Sequence, residues 1–206
     1  MKTLKPFGKL RPECLKISLG DRNPEVAAAL AAAFGDLAEV EVVTGDLLAL
    51  ACDAIVSPAN SFGDMGGGID KAIDDFHGGE AQRAVINAIG AQFLGELPVG
   101  AALVVRLSSR RFPFVVAAPT MRVPGMLARS TINAYLSMRA ALVAVLRHNA
   151  GPGPAIRSLA VPGLCTGVGG MPYAEASGQM RTAYDNVIGG QWRQVIHPAL
   201  APYAIF

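Results

Sequence analysis

The chain has 206 residues, of which 51% are hydrophobic and 17% charged, and its net charge is +2. That much apolar material supports a sizeable core in a single domain and excludes a disordered chain. The near balance of 18 basic and 16 acidic residues gives no reason to expect nucleic acid as a partner on charge grounds.

Residues 14–19 (C-L-K-I-S-L) alternate as a strand does, and residues 20–23 read as a turn. Pro24 is a good first helical residue, so the Ala-rich stretch 25–34 is a helix, stopped by Gly35. A second strand is predicted over 39–44 and a third, short and fully apolar, over 54–56. Helix 69–76 breaks at Gly78 and Gly79, and helical spacing resumes over 80–89. Residues 102–107 and 114–118 read as paired strands around a basic stretch, 106–111, taken as a solvated hairpin turn. Ser130 or Thr131 can cap a helix running to about His148. An apolar strand over 159–161 follows, and Pro172 opens a final helix with Glu175 in its first turn. A short strand is predicted around Val195 and Ile196. Strands alternating with helices predict an α/β fold with a mixed, mostly parallel sheet.

Two stretches stand out chemically. Strand 53–56 runs past Asn60 into Gly66, Gly67 and Gly68, then into a helix holding Asp70. Strand 159–161 runs into G-L-C-T-G-V-G-G, residues 163–170. Glycines let the backbone approach a ligand, and a helix start offers free N–H groups and a positive dipole end to an anion. Two such loops in one small domain predict a phosphate group held from two sides. Neither loop is a Walker loop, because Ile69 and Asp70 follow Gly68 where Lys and Ser/Thr belong. The Rossmann fingerprint is missing as well. In parallel sheets ligands bind beyond the carboxyl ends of the strands, so Asp46, Asn60 and the 165–170 loop are expected to be neighbours.

Taken in order, V-T-G-D-L-L, D-A-I-V-S-P-A-N, G-G-G-I-D-K-A-I and G-L-C-T-G-V-G-G-M-P resemble a macro domain, the ADP-ribose-binding module. The resemblance runs over residues 40–186. Segments 118–124 and 133–140 look like a bacterial and phage-associated subgroup. The resemblance implies one macro-like domain over 1–206, a three-layer α/β/α sandwich, and ADP-ribose or an ADP-ribosylated protein as partner. It implies that Asp46, with Leu47 beside it, takes the adenine amino group, and that Asn60 contacts the distal ribose and is catalytic together with Asp70. Gly66, Gly67, Gly68 and Ile69 would form the first ligand loop. Cys165, Thr166, Gly167, Val168, Gly169 and Gly170 would form the second. Asp70, ten positions after Asn60, matches the catalytic aspartate. The implied activity is hydrolase removal of ADP-ribosyl groups from proteins. The alternatives are a non-catalytic reader, an O-acetyl-ADP-ribose deacetylase, or a phage-linked structural protein without ligand.

Each of these residues also has a structural reading. Asp46 is a turn residue after Gly45, Asn60 a strand-end residue bonding its own backbone, and Asp70 a helix cap or first-turn residue. The chain departs from the family at Ser57, where N-A-A-N is usual, and at Gly169, where many macro domains carry an aromatic; Tyr173 is a candidate substitute. Phe62 and Met65 either flank the ligand or join the core. His77, His148 and His197 lack partner spacing for a metal or a triad, and no cofactor is expected. Three cysteines, Cys14, Cys52 and Cys165, make neither a disulfide framework nor a zinc spacing. A nucleophilic Cys165 is disfavoured although a helix start lies near it. The start M-K-T-L-K-P-F-G-K-L has no signal-like apolar run, and no membrane span is evident, so a cytoplasmic protein is expected.

Overall fold

The computed structural model describes residues 15–194, His197 and Ala199. Six strands form one sheet: β1 Lys16–Asp21, β2 Val40–Thr44, β3 Ala54–Ser57, β4 Leu103–Arg106, β5 Phe114–Ala117 and β6 Ser158–Pro162. Their order is β2-β1-β6-β3-β5-β4, parallel throughout except for β4 against β5. The helices are α1 Pro24–Phe34, α2 Gly68–Phe76, α3 Glu80–Phe93, α4 Asn133–Asn149 and α5 Tyr173–Val187.

Side-chain alternation along the strands sorts the core into two layers. Ala54 and Val56 of β3, with Ile17, Leu19, Leu159 and Val161, meet α1, α4 and α5 on one face. Ile55, Ala160 and Val115 meet α2, α3 and the 3-10 turn Leu47–Ala49 on the other. The result is a three-layer α/β/α sandwich. Every residue of β3 is buried, as a central parallel strand requires. Each large aliphatic side chain buried in these layers stabilises the fold by about 1.5–3 kcal/mol.

Several boundaries differ from the sequence reading. β1 runs on to Asp21, because Gly20 and Asp21 pair with Val43 and Thr44 of β2. Gly20, read as a turn residue, is therefore a strand residue. Helix α3 continues to Phe93 and stops where Leu94 turns left-handed at φ 55°. Helix α4 begins at Asn133, with no side-chain bond from its N-cap position, Ile132. Thr131 bonds the Asn133 amide instead, and its carbonyl accepts from Gln179 of α5. Arg111 does not simply point to solvent from the β4–β5 hairpin. It lies over the Phe76 ring at 5.0 Å and donates to the Leu48 carbonyl. The expected strand around Val195 and Ile196, and Cys14, lie outside the described residues. No helix among the described residues is long and apolar enough to cross a membrane.

Candidate functional site

The carboxyl ends of β1, β2, β3 and β6 open on one cleft of about 560 Å³. Gly66, Gly67, Gly68 and Ile69 line one side of it, and Cys165, Thr166, Gly167, Val168 and Gly169 line another. Asp46, Leu47, Asn60 and Asp70 line it too. Residues spread over more than a hundred positions thus meet because each follows a strand of the same sheet. Gly170 is the exception. Its φ of 64° carries the chain away, and the Met126 sulfur sits 2.9 Å from where its Cβ would be.

The glycine loops leave backbone donors uncommitted. Among the described residues, the amides of Gly67, Gly68 and Ile69 donate to no protein acceptor, nor do those of Thr166, Gly167, Val168 and Gly169. The first set belongs to the start of α2, where intrahelical partners are lacking. Gly68 has φ 58°, a left-handed conformation that a side chain would strain. In the second loop the Gly170 amide donates to the Gly167 carbonyl and the Met171 amide to the Cys165 carbonyl. Such amides, with the positive end of the α2 dipole, suit an anion between the loops.

Asp46 caps the 3-10 turn. Its Oδ1 accepts from the Leu48 amide at 2.9 Å and its Oδ2 from the Arg22 guanidinium at 2.7 Å. The Arg22 bond, then the amide bond, hold its pKa below the ordinary carboxylate range. Asn60 is buried, and its amide braces its own loop. Oδ1 accepts from the amides of Phe62 at 3.0 Å and Asp64 at 3.4 Å, and Nδ2 donates to the Asp64 carbonyl at 3.0 Å. An amide nitrogen carries two donors, so one remains for a ligand.

Asp70 lies in the first turn of α2, and the cap position is Gly67, without a side-chain bond. Its Oδ1 accepts from the Ser57 hydroxyl at 2.7 Å. Burial pushes its pKa up to about 7, aided by the charge of Asp64 and opposed by the Ser57 and Ala59 hydrogen bonds. Ser57, the departure from N-A-A-N, is thus fully buried beneath the carboxylate. A carboxyl that ionises near neutrality can exchange protons with water or a ligand.

Gly169 has no room for a side chain. A Cβ would lie 2.7 Å from the Cys165 carbonyl oxygen and 2.9 Å from Leu127 Cδ1. The Leu127 amide donates to the Gly169 carbonyl at 3.0 Å. The segment after β5 therefore occupies the space a larger residue would need. Tyr173 does not substitute for the missing aromatic: it lies off the cleft, with its hydroxyl accepting from Asn23 Nδ2 at 3.2 Å. Burial pushes the Cys165 thiol up to about 12, so it stays protonated at neutral pH and is a poor nucleophile.

The remaining candidates lie elsewhere. Met65 is core, and Phe62 is an exposed ring under Arg122. His77 is buried at the end of α2, where burial lowers its pKa. His148 packs on Phe114, and His197 accepts from the Ala199 amide. Among the described residues no group of three or more His, Cys, Asp or Glu could hold a metal ion. The sequence reading missed Asp21, Arg22 and Asn23, from the β1–α1 junction, and Thr120, Met121 and Pro124, after β5. The signal for the first group was D-R-N-P, a polar run straight after a strand.

The macro domain family profile matches residues 56–180. The chain belongs to the macro domain family. This macro domain is 33% identical to an uncharacterized protein of Aquifex aeolicus over 142 residues, 69% of this chain and 78% of that one. It is 34% identical to an uncharacterized protein of Aeropyrum pernix over 155 residues, 75% of each. Among solved structures it resembles the macrodomain of Mycobacterium tuberculosis DarG with a TM-score of 0.57. Identity there is 23%, over 70% of this chain and 88% of that one. It also resembles the Oceanobacillus iheyensis macrodomain with ADP, with a TM-score of 0.56, 24% identity, and 71% and 74% of the two chains covered. At these identities the structural likeness speaks for the fold. The β1–α1 junction and Asp46 both precede the matched span.

Proposed function

We propose that this macro domain binds ADP-ribose and hydrolyses ADP-ribosyl groups from acidic side chains of proteins. The supporting observation is the pair of uncommitted amide runs, 67–69 and 166–169, on two sides of one cleft. A diphosphate between them would accept backbone N–H bonds from both loops without needing a cationic side chain. Asp46 would then accept from the adenine amino group, and the spare Nδ2 donor of Asn60 would reach a hydroxyl of the distal ribose. Likeness to macrodomain structures, one of them containing ADP, supports the same ligand class.

In the reaction, a water attacks the anomeric carbon of the distal ribose. A new C–O bond forms there, and the bond to the modified carboxyl oxygen breaks. The leaving group departs as a carboxylate. Asp70 accepts the proton of the attacking water and passes it to solvent. A base with a pKa near the working pH combines sufficient ionisation with sufficient basicity. The Ser57 hydroxyl, donating to Oδ1, would hold the Asp70 carboxylate in place while it accepts from the water.

The closed space at Gly169 favours a second reading, a binder without turnover, since no aromatic cover for the distal ribose forms there. Calorimetric titration with ADP-ribose tests the shared part, and absence of binding at millimolar ligand would overturn it. Release of ADP-ribose from a glutamate-ADP-ribosylated protein, lost in Asp70→Ala, separates hydrolase from reader. Tight binding with no release by wild type would decide for the reader.

A further inference from the structure

We propose that Arg22 is the stacking partner of the nucleobase in this cleft, an inference that rests on the ADP-ribose reading above. A purine ring exposes two large faces, and binding is weak unless something flat or apolar covers them. Among the described residues no Phe, Tyr, Trp or His lines the cleft. Arg22 carries its only guanidinium, which is planar, weakly hydrated and suited to lying on an aromatic face.

Its position is set at both ends. The backbone follows directly from β1, inside the sheet, and Asn23 caps α1 by accepting the Glu25 amide at 3.0 Å. The guanidinium is tied to Asp46 Oδ2 at 2.7 Å, and Asp46 is itself tied to the Leu48 amide. The flat cation therefore stands beside the carboxylate assigned to the base's amino group. The side chain of Arg22 is 70% exposed, so one face of the guanidinium is open to a base. Leu47, next to Asp46 and lining the cleft, adds an apolar surface beside the same carboxylate. The Asp46 contact would orient the guanidinium while leaving its π surface free.

The ion pair is a surface contact and contributes little to stability, so its removal leaves a folded protein to measure. Calorimetry with ADP-ribose and with ribose 5-phosphate, which lacks the base, is run on wild type, Arg22→Ala, Arg22→Lys and Arg22→Tyr. Melting curves check each fold. The expected result is about tenfold weaker ADP-ribose binding in Arg22→Ala, no recovery in Arg22→Lys, and affinity within about threefold of wild type in Arg22→Tyr. Ribose 5-phosphate binding should be the same in all four. Full recovery by Arg22→Lys would overturn stacking and leave Arg22 a point charge. Wild-type affinity in Arg22→Ala would overturn any role in the base site. A folded wild type that binds no ADP-ribose would instead overturn the reading of the cleft itself, and this inference with it.

Discussion

Asp46 and Asp70 line the same cleft, each shortly after a strand, yet their surroundings drive them in opposite directions. Asp46 is open to water and bonded by Arg22, which holds it ionised well below neutral pH. Asp70 is half-buried above β3, with the Ser57 hydroxyl donating to it, and burial lifts it to about 7. Desolvation penalises the charged form, while an adjacent cation favours it. The same residue type is thus held as an anion at one end and pushed toward its protonated form at the other. In the proposed function the pair separates recognition from chemistry, and each half can be disturbed alone.

The largest effect is expected from Asp70→Asn. Turnover should fall by about 10²–10⁴-fold, the range for a general base, while ADP-ribose affinity stays within about threefold. Single-turnover release and calorimetry together measure this. If affinity collapses as well, Asp70 is an anchor like Asp46, and the division between the two ends is gone.

The same variant should gain stability at alkaline pH. The folded-state pKa of Asp70, about 7, exceeds the unfolded value of about 3.9. Between those values the folded protein holds the extra proton, so stability falls as pH rises through that window. Asp70→Asn should therefore be more stable than wild type at pH 8 by on the order of 2 kcal/mol, and near wild type at pH 4. Denaturant titrations at the two pH values provide the check. Equal stability at both would show that Asp70 is not held against its ionisation.

At the other end, Asp46→Ala should weaken ADP-ribose binding by about 1–3 kcal/mol, the scale of a charged hydrogen bond. Because Asp46 is held below the ordinary carboxylate range, wild-type affinity should not change through its titration between pH 6 and 8. A smaller response is expected from Ser57→Ala. Loss of the donor that lowers the Asp70 pKa should move the midpoint of the pH–rate profile upward from about 7, with Ser57→Thr restoring it. A downward shift would reverse the assignment. Cys165→Ser should alter turnover less than about threefold, since a thiol raised to about 12 supplies no thiolate at neutral pH.

Much of this was legible in the chain. The apolar run of β3 and the two glycine loops are local signals, readable because strand burial and loop chemistry depend on nearby residues. The junction after β1 was read less well. Gly20 looks like a turn by composition, and only its pairing between β2 and β6 makes it a strand residue. Arg22 was passed over because nothing local says that it faces Asp46, 24 positions on. The start of α4 was misplaced for the same reason, as Gln179 of α5 helps to hold Thr131.

The sequence by itself determined the α/β alternation, the two glycine loops, and the residue types at Asp46, Asn60 and Asp70, since these follow from periodicity and from short-range chemistry. Only the tertiary structure decided that β1 lies between β2 and β6 and brings Arg22 to Asp46. It also decided that Leu127 fills the space beside Gly169, and that Asp70 sits half-buried over Ser57. Those are long-range contacts, and a pKa is a property of the surroundings, which no single stretch of chain contains.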